Sequence, residues 1–163
     1  MKILPNEKRP NRDRNETTKN FRTFKETPRK DFLITEIGTK VSPSTHFSKI
    51  LNFCNLRPID LNEMFIGQIH LGQFLETTVM EEPFIVGNKV HFLVSDGHGQ
   101  LEFVYLENYE FFSTCKENVR DMLPRGSKVI IKEPYLEFDS KTSMKFFIRI
   151  DSPSDIEINY DMG

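Results

Sequence analysis

Val90-His91-Phe92-Leu93-Val94-Ser95, Asp96-Gly97-His98-Gly99 and Gln100-Leu101-Glu102-Phe103-Val104-Tyr105-Leu106 form the stretch that decides the fold. Val90, Phe92 and Val94 alternate with His91, Leu93 and Ser95. Leu101, Phe103 and Tyr105 alternate with Glu102, Val104 and Leu106. A period of two sends neighbouring side chains to opposite faces of an extended strand. The glycines between the runs supply the positive φ of a tight reversal. Two strands joined by a hairpin turn are expected.

The same period continues on both sides. Upstream, residues 65–80 are long and apolar, with Gly67 and Gly72 inside, which predicts a first strand that bends at glycine. Glu81-Glu82 beside Pro83 reads as a solvated loop. Downstream, Val129 and Ile131 open a fourth strand, and Phe146, Ile148 and Ile150 mark a fifth. Between the third and fourth strands, residues 118–123 place Val119, Met122 and Leu123 on one helical face before Pro124 and Gly126. Further upstream, Phe47, Ile50, Leu51 and Cys54 recur at helical spacing, predicting an amphipathic helix over 44–58, capped by Ser44 or Thr45 and stopped at Pro58.

Five short strands with a helix between the third and fourth is the order of the oligonucleotide/oligosaccharide-binding (OB) fold. The expected fold class is therefore mainly β: a five-stranded OB-like barrel over 61–160, with an N-terminal helix and an extended tail. A five-stranded SH3-like barrel is the rival, and it lacks a substantial helix at that point.

Charge divides the chain. Residues 1–31 hold ten Lys/Arg against five Asp/Glu, whereas residues 32–163 hold twelve against nineteen. The long apolar side chains lie almost entirely in the second segment. Residues 1–43 are thus expected to be a basic, disordered tail, too polar to offset the chain entropy of ordering. Phe21, Phe24 and Phe32 are spaced among Arg22, Lys25, Arg29 and Lys30. Either these residues fold onto a partner, with Phe21, Arg22, Phe24, Arg29 and Lys30 as candidate contacts, or the phenylalanines lie against the chain's own domain.

In the C-terminal third, Met122-Leu123-Pro124-Arg125-Gly126-Ser127-Lys128-Val129-Ile130-Ile131-Lys132-Glu133-Pro134-Tyr135 is followed by Phe147-Ile148-Arg149-Ile150-Asp151-Ser152-Pro153-Ser154-Asp155-Ile156. This pattern resembles the N-terminal OB-like module that precedes the repeats in eukaryotic TPR–SET proteins, over roughly residues 65–158. The turn Asp139-Ser140-Lys141-Thr142-Ser143 lacks the glycine of that pattern, and Ile150 replaces its valine. No TPR helix or SET motif appears in the sequence, so the resemblance implies a non-catalytic module that supports assembly. In architecture the chain is also similar to the small OB subunits of replication-protein-A-like and telomere-capping complexes.

Catalytic chemistry finds little to work with. His46, His70, His91 and His98 are scattered, and Cys54 and Cys115 make neither a disulfide framework nor a four-cysteine zinc module. There is no Gly-x-Ser-x-Gly elbow, and Gly97-His98-Gly99 is a hairpin turn, not a phosphate-cradling loop into a helix. No enzyme activity, metal or cofactor is expected. No run approaches the roughly 18 apolar residues of a spanning helix, and the N-terminus has no signal-peptide hydrophobic region. A soluble intracellular protein is expected, nuclear or cytoplasmic.

Single-stranded nucleic acid needs a positive groove and aromatic platforms. Residues 61–159 hold nine Lys/Arg against sixteen Asp/Glu, which opposes such binding overall. One stretch suits it locally: Lys128, Lys132, Lys141, Lys145 and Arg149, interleaved with Tyr135, Phe138 and Phe147. The same residues read more readily as a charged sheet face with cross-strand pairs to Glu133, Glu137 and Asp139. Arg149 and Asp151, two apart on one strand face, are expected to extend an ion-pair row with Lys132 or Glu133. The expected function is a non-enzymatic adaptor subunit of a multisubunit complex with protein partners. Single-stranded DNA or RNA binding is the alternative, and a regulatory module related to TPR–SET proteins a further one.

Overall fold

The computed structural model describes residues 6–26, 55–107, 123–142 and 144–158. Its elements are helix α1 (Arg14–Glu26) and strands β1 (Arg57–Pro58), β2 (Gln73–Val86), β3 (Lys89–Ser95), β4 (Leu101–Leu106), β5 (Lys128–Lys132), β6 (Tyr135–Asp139), β7 (Lys145–Ile150) and β8 (Ile156–Ile158). The fold is mainly β, a single mixed sheet in the order β6-β7-β4-β3-β2-β5-β8, with β1 against β2. Two pairs are parallel, β1 with β2 and β4 with β7. The ladder is an open path of seven strands with an eighth, β1, beside it, where a ring of five was expected.

The deciding hairpin forms as read. β3 and β4 pair antiparallel from Ser95↔Leu101 to Val90↔Leu106. Asp96 holds the reversal: its Oδ1 accepts from the backbone N–H groups of His98 and Gln100, each at 2.9 Å. Its Oδ2 accepts from the Leu61 N–H at 3.0 Å, tying the turn to the segment that leads into β2.

The first long strand departs from expectation. It runs from Gln73 to Val86, and Gly67 (φ +82°) and Gly72 (φ +74°) stand in turns before it. Its irregularity comes instead from register shifts between Val79 and Glu81 and between Glu81 and Phe84. Glu81-Glu82-Pro83 belongs to the strand and not to a loop, and Pro83 is buried. A proline without an N–H fits where the ladder is already interrupted. The stretch after β5 also carries an extra strand, because Glu133 (φ +45°) and Pro134 break the run into β5 and β6.

The core lies on one face of the alternation. Val90, Phe92, Val94, Val104 and Leu106 pack there with Leu75, Val129, Ile131, Phe146 and Ile148. Leu93, Leu101, Phe103, Tyr105 and Phe147 turn to the opposite face and form a second cluster with Phe21 of α1. Burial on both faces explains why every residue of β4 is buried although the run alternates in character.

The tail over 1–43 is corrected where it is described. Residues 6–26 are docked on the sheet: Lys8 bridges Phe65, and Phe21 is fully enclosed. The apolar face of the sheet supplies the burial that the tail's own composition lacks. Of the expected helix over 44–58, residues 44–54 lie outside the described residues, and Arg57–Pro58 form β1. The expected helix before Pro124 lies outside them too, except Leu123, which is buried in the main core.

Candidate functional site: a sheet face covered by the N-terminal arm

Residues 6–26 form an arm with two parts. The first is a lock. Backbone bonds join Asn6 to Ile66 and Arg9 to Met64, carrying the arm along the segment before β2. Arg9 Nε then donates to Glu102 Oε1 at 2.7 Å, and Arg12 Nε donates to Glu102 Oε2 at 3.0 Å. The N–H of Phe103 donates to the same Oε2 at 2.8 Å, so the sealed carboxylate is fully hydrogen-bonded. A buried charge is tolerable only in such company.

The guanidinium groups also serve the backbone. Arg9 Nη2 donates to the Leu101 carbonyl at 2.5 Å, and Arg12 Nη2 to the carbonyls of Met144 (3.1 Å) and Phe146 (2.8 Å). The β4–β7 ladder begins only at Val104↔Ile148, so these two arginines occupy the seam before it closes. Arg12 lies 3.9 Å over the Phe146 ring and 4.8 Å from the Phe103 centroid. Burial pulls the Arg12 guanidinium below its ordinary pKa, against the opposing pull of Glu102.

The second part is α1, which covers the outer face of β2, β3 and β4. Phe21 packs on Phe84 (5.3 Å between centroids) and stacks on Phe103 (6.3 Å). Phe24 meets Phe84 and His91 edge-on at 5.5 and 5.2 Å. His91 also stacks on Phe84 at 5.1 Å and abuts Tyr105 at 4.2 Å. At the rim, Arg22 pairs with Glu81 at 2.6 Å, and Lys25 lies 3.9 Å from Glu82. The hydrogen bond from Arg22 lowers the pKa of Glu81.

The expected site residues share β5 and the β6–β7 hairpin, but Phe138 and Phe147 turn to opposite faces of the sheet. Lys128 is exposed on β5 and donates to Thr78 Oγ1 at 3.0 Å, and Lys132 is half-buried at the end of the same strand. Lys141 and Lys145 are exposed at the β6–β7 reversal, where Lys145 Nζ donates to the Ser140 carbonyl at 3.3 Å. Tyr135 is half-buried opposite Arg149, and Phe138 packs against the main core. Phe147 is buried and stacks on Tyr105 at 4.1 Å. Arg149 is buried as well, bonded to Asp151 (3.0 Å) and Glu137 (2.9 Å), with Glu107 at 3.9 Å. Burial opposes its charge, but the Glu137 bond and the three acids outweigh that and raise its pKa. Phe147 and Arg149 are therefore packing and ion-pair residues in this structure, not members of an open basic face. The expected row from Arg149 and Asp151 closes on Glu137 and Glu107, not on Lys132 or Glu133.

Among the tail contacts, Phe21, Arg22 and Phe24 bind the chain's own sheet, while Arg29, Lys30 and Phe32 lie outside the described residues, as do His46, Cys54 and Cys115. Arg9, Arg12 and Glu102 were not singled out by sequence reading. Their signal was an acid at a core-parity position, Glu102 sharing its strand face with Val104 and Leu106, in a chain with a dense cation run at 8–14. Among the described residues no group of His, Cys, Asp and Glu is arranged to hold a metal ion, and no helix is long and apolar enough to cross a membrane. Comparison of the sequence with protein-family models and with curated proteins finds no match.

Proposed function

We propose that this chain is a non-enzymatic adaptor built on an OB-type barrel, with protein as its ligand class. The OB reading is supported by connectivity. β2, β3 and β4 form an antiparallel meander, β4 runs parallel to β7, and β5 leads into β6 across Glu133 and Pro134 alone. That continuous segment pairs with β2 at Phe74↔Lys132 and with β7 at Tyr135↔Arg149, so one bent strand would bring β2 and β7 together around a barrel. The resemblance to a non-catalytic TPR–SET module is consistent with the same role.

One observation carries the adaptor reading. OB-type barrels present ligands to the outer face of their second and third strands, here β3 and β4, and the arm already lies on that face through Phe21, Phe24 and Arg22. The acids at its rim, Glu81 and Glu82, favour cationic protein side chains over phosphates. Single-stranded nucleic acid binding through residues 128–149 has less support, because Phe147 and Arg149 are enclosed.

The test is fluorescence anisotropy of the full chain with labelled single-stranded DNA and RNA at low and physiological salt. No binding at physiological salt is expected. Binding that persists there and is lost on replacing Lys128, Lys132, Lys141 and Lys145 with alanine would overturn the reading.

A further inference from the structure

The lock and α1 differ in how they are held. Arg9 and Glu102 are wholly enclosed, whereas the α1 ion pairs are open to solvent, with the Arg22 side chain 58% exposed. Within α1 only Thr17 and Phe21 are buried. Its sequence, Arg-Asn-Glu-Thr-Thr-Lys-Asn-Phe-Arg-Thr-Phe-Lys-Glu, has three threonines, two asparagines and neither alanine nor leucine. A 13-residue segment of such low propensity is not a stable helix on its own. Its helicity therefore depends on the face it covers, and segments held by few buried contacts open first.

The face beneath has defined chemistry. Phe84, His91 and Phe103 form an aromatic floor, and Glu81 and Glu82 stand at one rim. Phe21 and Phe24, three residues apart, meet the floor, and Arg22 and Lys25, one residue beyond each, meet the acids. We infer that this face is a docking site for an amphipathic helix from a protein partner, with two aromatics at i and i+3 and cations at i+1 and i+4. In the isolated chain α1 is its occupant in cis. The inference rests on the adaptor reading and specifies the partner's chemistry. Charge complementarity selects a cationic helix, since the rim acids would repel an oligonucleotide backbone.

Covalent attachment gives α1 an effective concentration on the order of millimolar at this face. A helix supplied in trans must displace it, so removing α1's own contacts should reveal the site. The probe is a fluorescein-labelled peptide of residues 13–26, titrated into full-length protein at physiological salt. The wild type is compared with two opened variants, Phe21→Ala/Phe24→Ala and the milder Arg22→Glu/Lys25→Glu.

The peptide should bind the opened variants about tenfold or more tightly than the wild type. Adding Glu81→Lys/Glu82→Lys to the phenylalanine variant should remove that gain. Equal affinity for opened and wild-type chains, or no binding to any, overturns the docking site and leaves the adaptor reading standing. Loss of cooperative unfolding in both opened variants also overturns it, since α1 would then belong to the core. A labelled single-stranded oligonucleotide is run in parallel. If it binds the opened chains and the peptide does not, both readings fall.

Discussion

Arg9 and Glu102, 93 residues apart in sequence, meet at 2.7 Å with both side chains sealed from solvent. The carboxylate sits at a core-facing position of β4, where an unpaired charge would be prohibitive. The pair therefore makes the arm part of the folded unit. Replacing one partner of a buried pair strands the other. Glu102→Ala should lower the unfolding free energy by about 3–5 kcal/mol in urea titrations, and limited proteolysis should then cut within residues 6–14. A loss below about 1 kcal/mol would mean that the lock is ornamental.

The basic residues singled out in the sequence should behave unequally. Arg149→Met removes the cation bonded to Glu137 and Asp151, leaving Glu107 to Lys89, and should cost about 3 kcal/mol. Lys141→Ala and Lys145→Ala, at exposed positions of the β6–β7 reversal, should each stay within about 0.5 kcal/mol of wild type. Thermal melts of the three variants decide this directly.

Asp96 gathers three backbone donors, those of His98, Gln100 and Leu61. Asp96→Ala leaves all three without their acceptor and should cost about 2–4 kcal/mol. Asp96→Asn retains one acceptor oxygen for the turn and should lose less. The ordering of the two midpoints in denaturant is the readout.

Two buried groups act in opposite directions with pH. His70 accepts the Phe65 N–H at Nε2, so Nδ1 carries the proton and donates to the Pro134 carbonyl, both at 2.9 Å. Burial lowers its pKa, against the backbone bond to Pro134. Its contribution is thus full above the unfolded value of about 6.5 and is lost as pH falls through the depressed folded value. Asp155 is raised from 3.8 to about 6, by burial first and then by Glu133 and Asp151.

For Asp155 the folded state prefers the protonated acid, so its contribution is present below about 4 and is lost as pH rises to about 6. Asp155→Asn should therefore gain roughly 2 kcal/mol over wild type at pH 8 and nothing at pH 3.5. His70→Gln should flatten the stability profile between pH 7 and pH 5. Chemical denaturation across pH separates the two.

Strand positions in the deciding hairpin were legible because period-two alternation and a glycine turn act locally. β6 was not, since its beginning depends on a non-glycine residue, Glu133, adopting φ +45° beside a proline. The strand character of Glu81-Glu82-Pro83 was hidden for a similar reason: its acids are neutralised by Arg22 and Lys25, far away in sequence. The arm defeated a composition argument altogether. Residues 8–14 look too polar to order, and they order because Glu102 and the carbonyls of Leu101, Met144 and Phe146 receive their guanidinium groups. In the candidate site, the tail phenylalanines were visible as spaced aromatics, but the face receiving them required the pairing of β2, β3 and β4.

The bonds from Arg12 to the carbonyls of Met144 and Phe146 span 132 and 134 residues. A ribosome emits Arg12 early and Phe146 near the end of this sequence, so the arm cannot complete its lock while most of the chain is being made. Contacts of such separation form late and slowly. The arm, translated well before β7, is thus among the last parts to settle, and until then its cations and phenylalanines are open to whatever meets the nascent chain.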